Sequence, residues 1–143
     1  MTYHHNLRSR RLAELMAMGS ERIRAELELI REVGWKSETI VQRKIRLHQR
    51  EWGRDDMTVE EFEQIARHVK NDPRRQVFTY IHDAFPHHRG YCFVSPEGEV
   101  VHCRIDQKIN ASCFKPKDLD QYMSSHGHWV ELDQEGNINE HSE

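Results

Sequence analysis

Residues 72–105 read DPRRQVFTYIHDAFPHHRGYCFVSPEGEVVHCRI, and the architecture turns on them. Asp72-Pro73 closes the helical segment before it, because proline has no amide proton and disfavours a helical residue at the preceding position. Beyond it the apolar period falls from about 3.6 to about 2. Gln76 to His82 (QVFTYIH) is rich in β-branched and aromatic residues, as a strand should be. Tyr91 to Ser95 and Glu99 to Ile105 flank Pro96-Glu97-Gly98, which reads as a three-residue hairpin loop. Proline presets φ there, and glycine accepts a positive φ. With that turn, Ser95 faces Glu99 and Cys92 faces His102 on one side of the sheet, while Tyr91 faces Cys103 on the other.

Upstream the pattern is helical. A segment over about 7–18 carries Leu12, Leu15 and Met16 and ends at Gly19. Ser20 then reads as an N-cap for an amphipathic helix over 21–33, with Ile23, Leu27 and Ile30 at i, i+4, i+7. Gly34 is expected to stop it in a left-handed conformation. A third helix is expected from Ser37, with Val41, Ile45, His48 and Trp52 along one face. Thr58-Val59-Glu60-Glu61 is a capping box that opens a fourth, whose stripe is Phe62, Ile65, Ala66 and Val69.

Downstream, a short helix is expected from Pro116 to about Met123 and a last strand from His128 to Leu132. Residues 133–143 are polar and read as a flexible tail. A run of helices followed by a run of strands predicts one α+β domain over residues 1–132. Its helical half is about 7–72, and its half built of a small antiparallel sheet with one late helix is about 76–132.

Charge is split along the same line. Residues 1–54 carry 12 Lys and Arg against 7 Asp and Glu, while residues 55–143 carry 9 against 17, within a net charge of −3. Apolar residues make up only 36% of the chain and charged residues 31%, so the core is modest and the surface wet. No apolar run approaches the ~18 residues that span a bilayer, and the start MTYHHNLRSR lacks a secretory core. A cytoplasmic chain with three reduced cysteines is the resulting expectation. His4-His5 reads as part of a flexible end.

Three constellations could carry chemistry. The first is a helix-turn-helix over residues 25–50. Its second helix places Arg43, Arg46 and Arg50 at i, i+3, i+7, away from the apolar face, with Lys36, Gln42, Lys44 and Gln49 around them. Arginine pairs with phosphate or with guanine, and glutamine reads adenine. The bland alternative is a solvated, salt-bridged face. The second is a metal site: Cys92 and His102 share a sheet face, His82 or one of His87 and His88 would have to add to them, and zinc is the ion such ligands suit. Its bland alternative is a buried cysteine beside a half-exposed histidine. The third is the loop Phe85-Pro86-His87-His88-Arg89-Gly90, of a type found at binding surfaces.

For catalysis without a metal, Cys92, His82 and His102 come first, but no nucleophile elbow, Walker loop or dinucleotide fingerprint is present. Trp35, Trp52 and Trp129 read as packing residues rather than base-stacking platforms. The function expected is therefore that of a small non-enzymatic regulatory or interaction protein. Its basic helical half contacts nucleic acid or a nucleic-acid-handling complex, and a homodimer is compatible with so small a core. An inhibitor or adaptor docking through the acidic sheet half is the alternative, and a metal- or Cys/His-dependent enzyme a further one.

Overall fold

A computed structural model describes residues 13–14, 16–53, 56–81, 89–125, 130–133 and 135–138 of the chain. Residues 13–14 and 16–18 are helical and run into Gly19. Three helices follow: α1 (Ser20–Glu32), α2 (Glu38–Trp52) and α3 (Val59–Asn71). Strands β1 (Gln76–Ile81), β2 (Arg89–Val94), β3 (Val100–Arg104) and β4 (Ile109–Phe114) come next, then a short helix α4 (Leu119–Ser125) and β5 (Val130–Leu132). The fold is α+β, with helices first and an antiparallel sheet after them. No helix among the described residues is long and apolar enough to cross a membrane.

The sheet order is β4-β3-β2-β1-β5, and every pairing is antiparallel. The hairpin register is the one its turn dictates: Cys92 pairs with His102 and Tyr91 with Cys103. Gly98 takes φ 89° and donates its amide to the Ser95 carbonyl at 3.0 Å. One sheet face supplies Val77, Tyr91, Phe93, Val101, Cys103, Cys113 and Leu132 to the main core. Onto it the helices lay Ile23, Leu27 and Ile30 from α1, Val41 and Ile45 from α2, and Phe62, Ala66 and Val69 from α3. Burying a side chain the size of Phe62, which is fully covered, contributes about 1.5–3 kcal/mol. The opposite face forms a smaller cluster of Cys92, Val94, Val100 and Phe114 under Phe78, Leu119 and Tyr122.

Local chemistry explains most of the boundaries. Thr58 Oγ1 accepts from the Glu61 amide at 3.1 Å and Glu61 Oε1 accepts from the Thr58 amide at 3.3 Å, so the capping box is complete. Ser37 Oγ accepts from the Ile40 amide at 3.2 Å at the start of α2. Five expectations need correction. Ser20 is the first helical residue rather than the N-cap; Gly19 caps with φ 82° and no side-chain bond. Gly34 is not left-handed: α1 ends in extended backbone at Val33, and the Gly34 carbonyl instead accepts from the Asn110 amide at 2.9 Å.

The late helix starts at Leu119, because Asp118 Oδ1 rather than Pro116 caps it, accepting from the Gln121 amide at 3.0 Å. Strand β4 was not foreseen. The polar end, finally, carries structure where it begins: Asp133 Oδ1 accepts from the amides of Glu135 and Asn137, and Ile138 bridges back to Leu132. The expected segment before residue 13, and His4 and His5 with it, lie outside the described residues, as does Trp129.

Candidate functional site

Helix α2 lies against α3 and β4, and α1 also leans on α3, so α3 is the hub that supports the other two. The expected helix-turn-helix is thus a pair of helices braced by a third rather than a pair packed chiefly on each other. The buried side of α2 is Val41 and Ile45. His48, on the same side, stacks on Phe114 with ring centroids 5.3 Å apart. At 100° per residue the opposite side is an arc of about 140°. Thr39, Gln42, Arg43, Arg46 and Leu47 fill it, and all five are exposed. Position 50 falls in the same arc by register, although the side chains of Gln49 and Arg50 lie outside the described residues. Glu38 and Glu51 fall beyond its edges, so the arc contains no acidic position.

The basic residues of α1 and α2 differ in what they do. On α1, Arg22 sits 3.6 Å from Glu26, Arg24 donates to the Glu135 carbonyl at 3.3 Å, and Arg31 donates to Asn71 Oδ1 at 2.8 Å and Glu28 at 3.1 Å. On α2, Arg43 and Arg46 are exposed and Lys44 half-buried, and among the described residues no carboxylate engages any of the three. Lys36 is exposed in the connection before α2. Leu47 is 68% exposed, the highest value among the exposed large apolar residues that are described.

Arg89 does not join this surface. Expected in a loop, it opens β2, where its guanidinium donates to Glu26 and, at 3.2 Å, to Met18 Sδ. Tyr91 Oη donates to the other Glu26 oxygen at 2.6 Å. Burial, and then the neighbouring Glu26, push the Tyr91 phenol above its ordinary value. This knot fixes α1 against β2. A half-buried Arg needs such a partner, because an unpaired charge there is costly to desolvate. His87 and His88 lie outside the described residues.

Of the metal candidates, Cys92 and His102 stand opposite one another, as expected, and His82 lies outside the described residues. Cys92 is fully buried in the smaller cluster and His102 half-buried. Among the described residues no three of His, Cys, Asp and Glu converge as a metal's ligands would. The three thiols are free and buried, and burial raises all of them, Cys103 to about 12. A thiol held so far up is a poor nucleophile at neutral pH.

The least expected feature is Lys70. It is 1% exposed, and its Nζ donates to the Ile30 carbonyl at 2.9 Å, the Val33 carbonyl at 3.0 Å and Asn110 Oδ1 at 2.8 Å. Three protons meet three acceptors, so the ammonium is satisfied in place while desolvation lowers its pKa. Two of those acceptors are carbonyls at the end of α1, which helical bonding leaves unpaired. Lys70 sits four residues after Ala66 and eight after Phe62, on the apolar stripe of α3. That spacing was the signal that could have found it. A cleft beside it is lined by Trp35, Arg67, Glu63 and Asn110.

No family model, no curated protein and no solved structure matches the chain.

Proposed function

We propose that the protein is a non-enzymatic binding protein that docks nucleic acid on the exposed arc of α2. One observation carries this reading: Arg43 and Arg46 stand exposed on an arc free of acidic positions, unengaged by any carboxylate among the described residues. Cations that no described carboxylate engages are available to phosphates, and neutralising phosphates supplies most of the non-specific affinity of such proteins. The arginines of α1, by contrast, are engaged by groups of their own chain, which gives the arc its distinctness. The buried, raised thiols favour a structural over a catalytic role for the cysteines.

The acidic half supports docking less well. Asp106 is held by Arg104 at 2.6 Å, Asp72 by Arg74 at 3.3 Å, and Glu99 accepts from Ser95 at 3.1 Å. These carboxylates serve the fold. A second reading has its own observation: an apolar Leu47 among arginines also suits an acidic protein surface.

A mobility-shift titration against mixed-sequence DNA and RNA tests the proposal, with the Arg43→Glu/Arg46→Glu variant as the comparison. The wild-type chain should retard at least one pool, and the variant none. Retardation of neither pool overturns the proposal, as does equal retardation by the variant.

A further inference from the structure

We infer that the ligand of the α2 arc is B-form double-stranded DNA, read in the major groove with Leu47 against thymine methyl groups. This rests on the nucleic-acid reading above and narrows it. The argument begins with what a purely electrostatic face would contain. Phosphates need only cations, and an apolar side chain set among them gains nothing. Leu47 nevertheless stands 68% exposed beside Arg43 and Arg46. Elsewhere on the same arc, Thr39 and Gln42 are short or uncharged groups that reach base edges rather than span to phosphates.

Together the arc carries side chains suited to the major-groove edges of guanine, adenine and thymine. Arginine bonds to the phosphates that border the groove or bidentately to guanine O6 and N7, glutamine to adenine N6 and N7, and apolar or threonine methyl groups contact the thymine methyl. Acidic positions, which phosphates on both sides of a groove would repel, fall outside the arc. The dimensions agree. From Thr39 to Arg46 the helix rises about 10.5 Å, the length of about three base-pair steps. An α-helix about 10–12 Å across fits the major groove, which is about 12 Å wide.

The same features argue against the other nucleic acids. A-form RNA has a deep, narrow major groove closed to side chains, and uracil has no methyl group. Single strands are bound by stacking bases on aromatic rings. The described aromatic residues near α2 are committed elsewhere: Trp35 packs on Phe62 at 5.3 Å, and Trp52 packs against the main core.

The test starts from a duplex selected for binding out of a random DNA pool. Four probes are compared by fluorescence anisotropy at one salt concentration: that duplex, the same duplex with uracil replacing thymine, the RNA duplex of the same sequence, and one DNA strand alone. Each is titrated with the wild-type chain and with Leu47→Ala, which touches an exposed position and leaves the core intact. The DNA duplex should bind at least about tenfold tighter than the RNA duplex or the single strand. Loss of a contacted methyl should weaken the wild type about fourfold per thymine, and Leu47→Ala should bind thymine and uracil duplexes alike. RNA or single-strand binding as tight as duplex DNA overturns the inference while leaving nucleic-acid binding in place. Indifference of the wild type to uracil does the same. Failure to select any duplex, with RNA and single strands also unbound, removes the nucleic-acid reading itself.

Discussion

Lys70 Nζ donates to the Ile30 carbonyl oxygen at 2.9 Å, so a side chain of α3 closes the end of α1. It also donates to Asn110 on β4, joining two helices and an edge strand through one ammonium. Cysteine 103 shares the Asn110 oxygen, its Sγ lying 3.2 Å away. In Lys70→Met the two α1 carbonyls and the Asn110 oxygen lose their donor, at a cost of about 3 kcal/mol. Asn110→Ala should cost less, and the double variant less than the sum, because both changes remove the same bond. Urea unfolding of the three variants checks this; full additivity would contradict the shared knot.

The capping box makes a smaller, cleaner prediction. Thr58→Ala removes the bond to the Glu61 amide at an exposed site and should lower stability by about 1 kcal/mol. Thermal melting should show the loss without a change in the secondary-structure signal before unfolding. An unchanged melting temperature would contradict it.

Acid should weaken the fold through Asp72. The Arg74 amide at 2.8 Å, and then the Arg74 side chain, hold its carboxyl below the ordinary value of 3.8. A carboxyl depressed in the folded state contributes stability above its unfolded pKa, and that contribution disappears as pH falls through the folded value. Asp133 is lowered in the same sense, first by the Asn137 amide. Stability measured below neutral pH should therefore decline most steeply beneath the ordinary carboxylate range, and Asp72→Asn should flatten that decline. A decline equally steep in the variant would show that Asp72 does not contribute.

The cysteines give a chemical check on the core. All three are fully buried, and burial holds each thiol far above its ordinary value, Cys103 at about 12. A thiol-specific reagent at neutral pH should find no fast-reacting group in the native chain and three in urea. One rapid equivalent in the native chain would place a thiol at a reactive site and favour the Cys/His reading.

Strong local grammar was legible in the sequence. The Thr58 box, the Asp72-Pro73 stop and the Pro96-Glu97-Gly98 turn each have one sensible geometry, and the register Cys92 with His102 followed from the turn by counting. Strand β4 escaped because Asn110, Ala111 and Ser112 carry little β signal, and a bulge opposite His102 and Cys103 breaks the alternation. Without β4 the partner of Lys70 could not be placed, so a lysine on an apolar stripe passed unremarked. Arg89 escaped for a related reason: its carboxylate, Glu26, lies 63 residues away, and nothing local announces the pair. The arginines and Gln42 of the α2 arc were legible as a pattern, whereas Thr39 and the exposed Leu47 were not singled out. What the sequence could not say was that the arginines of α1 would be engaged by their own chain, while among the described residues no carboxylate engages Arg43 or Arg46 of α2.

The central claim is that this open charge meets phosphate. The most direct measurement is the salt dependence of duplex DNA affinity for the wild-type chain, Arg43→Gln and Arg46→Gln. Plotted as the logarithm of affinity against the logarithm of salt concentration, the wild type should give a steep negative slope. Each arginine that contacts a phosphate should, when replaced, reduce that slope by about one unit. A wild-type affinity insensitive to salt, or slopes that neither substitution changes, would contradict the account.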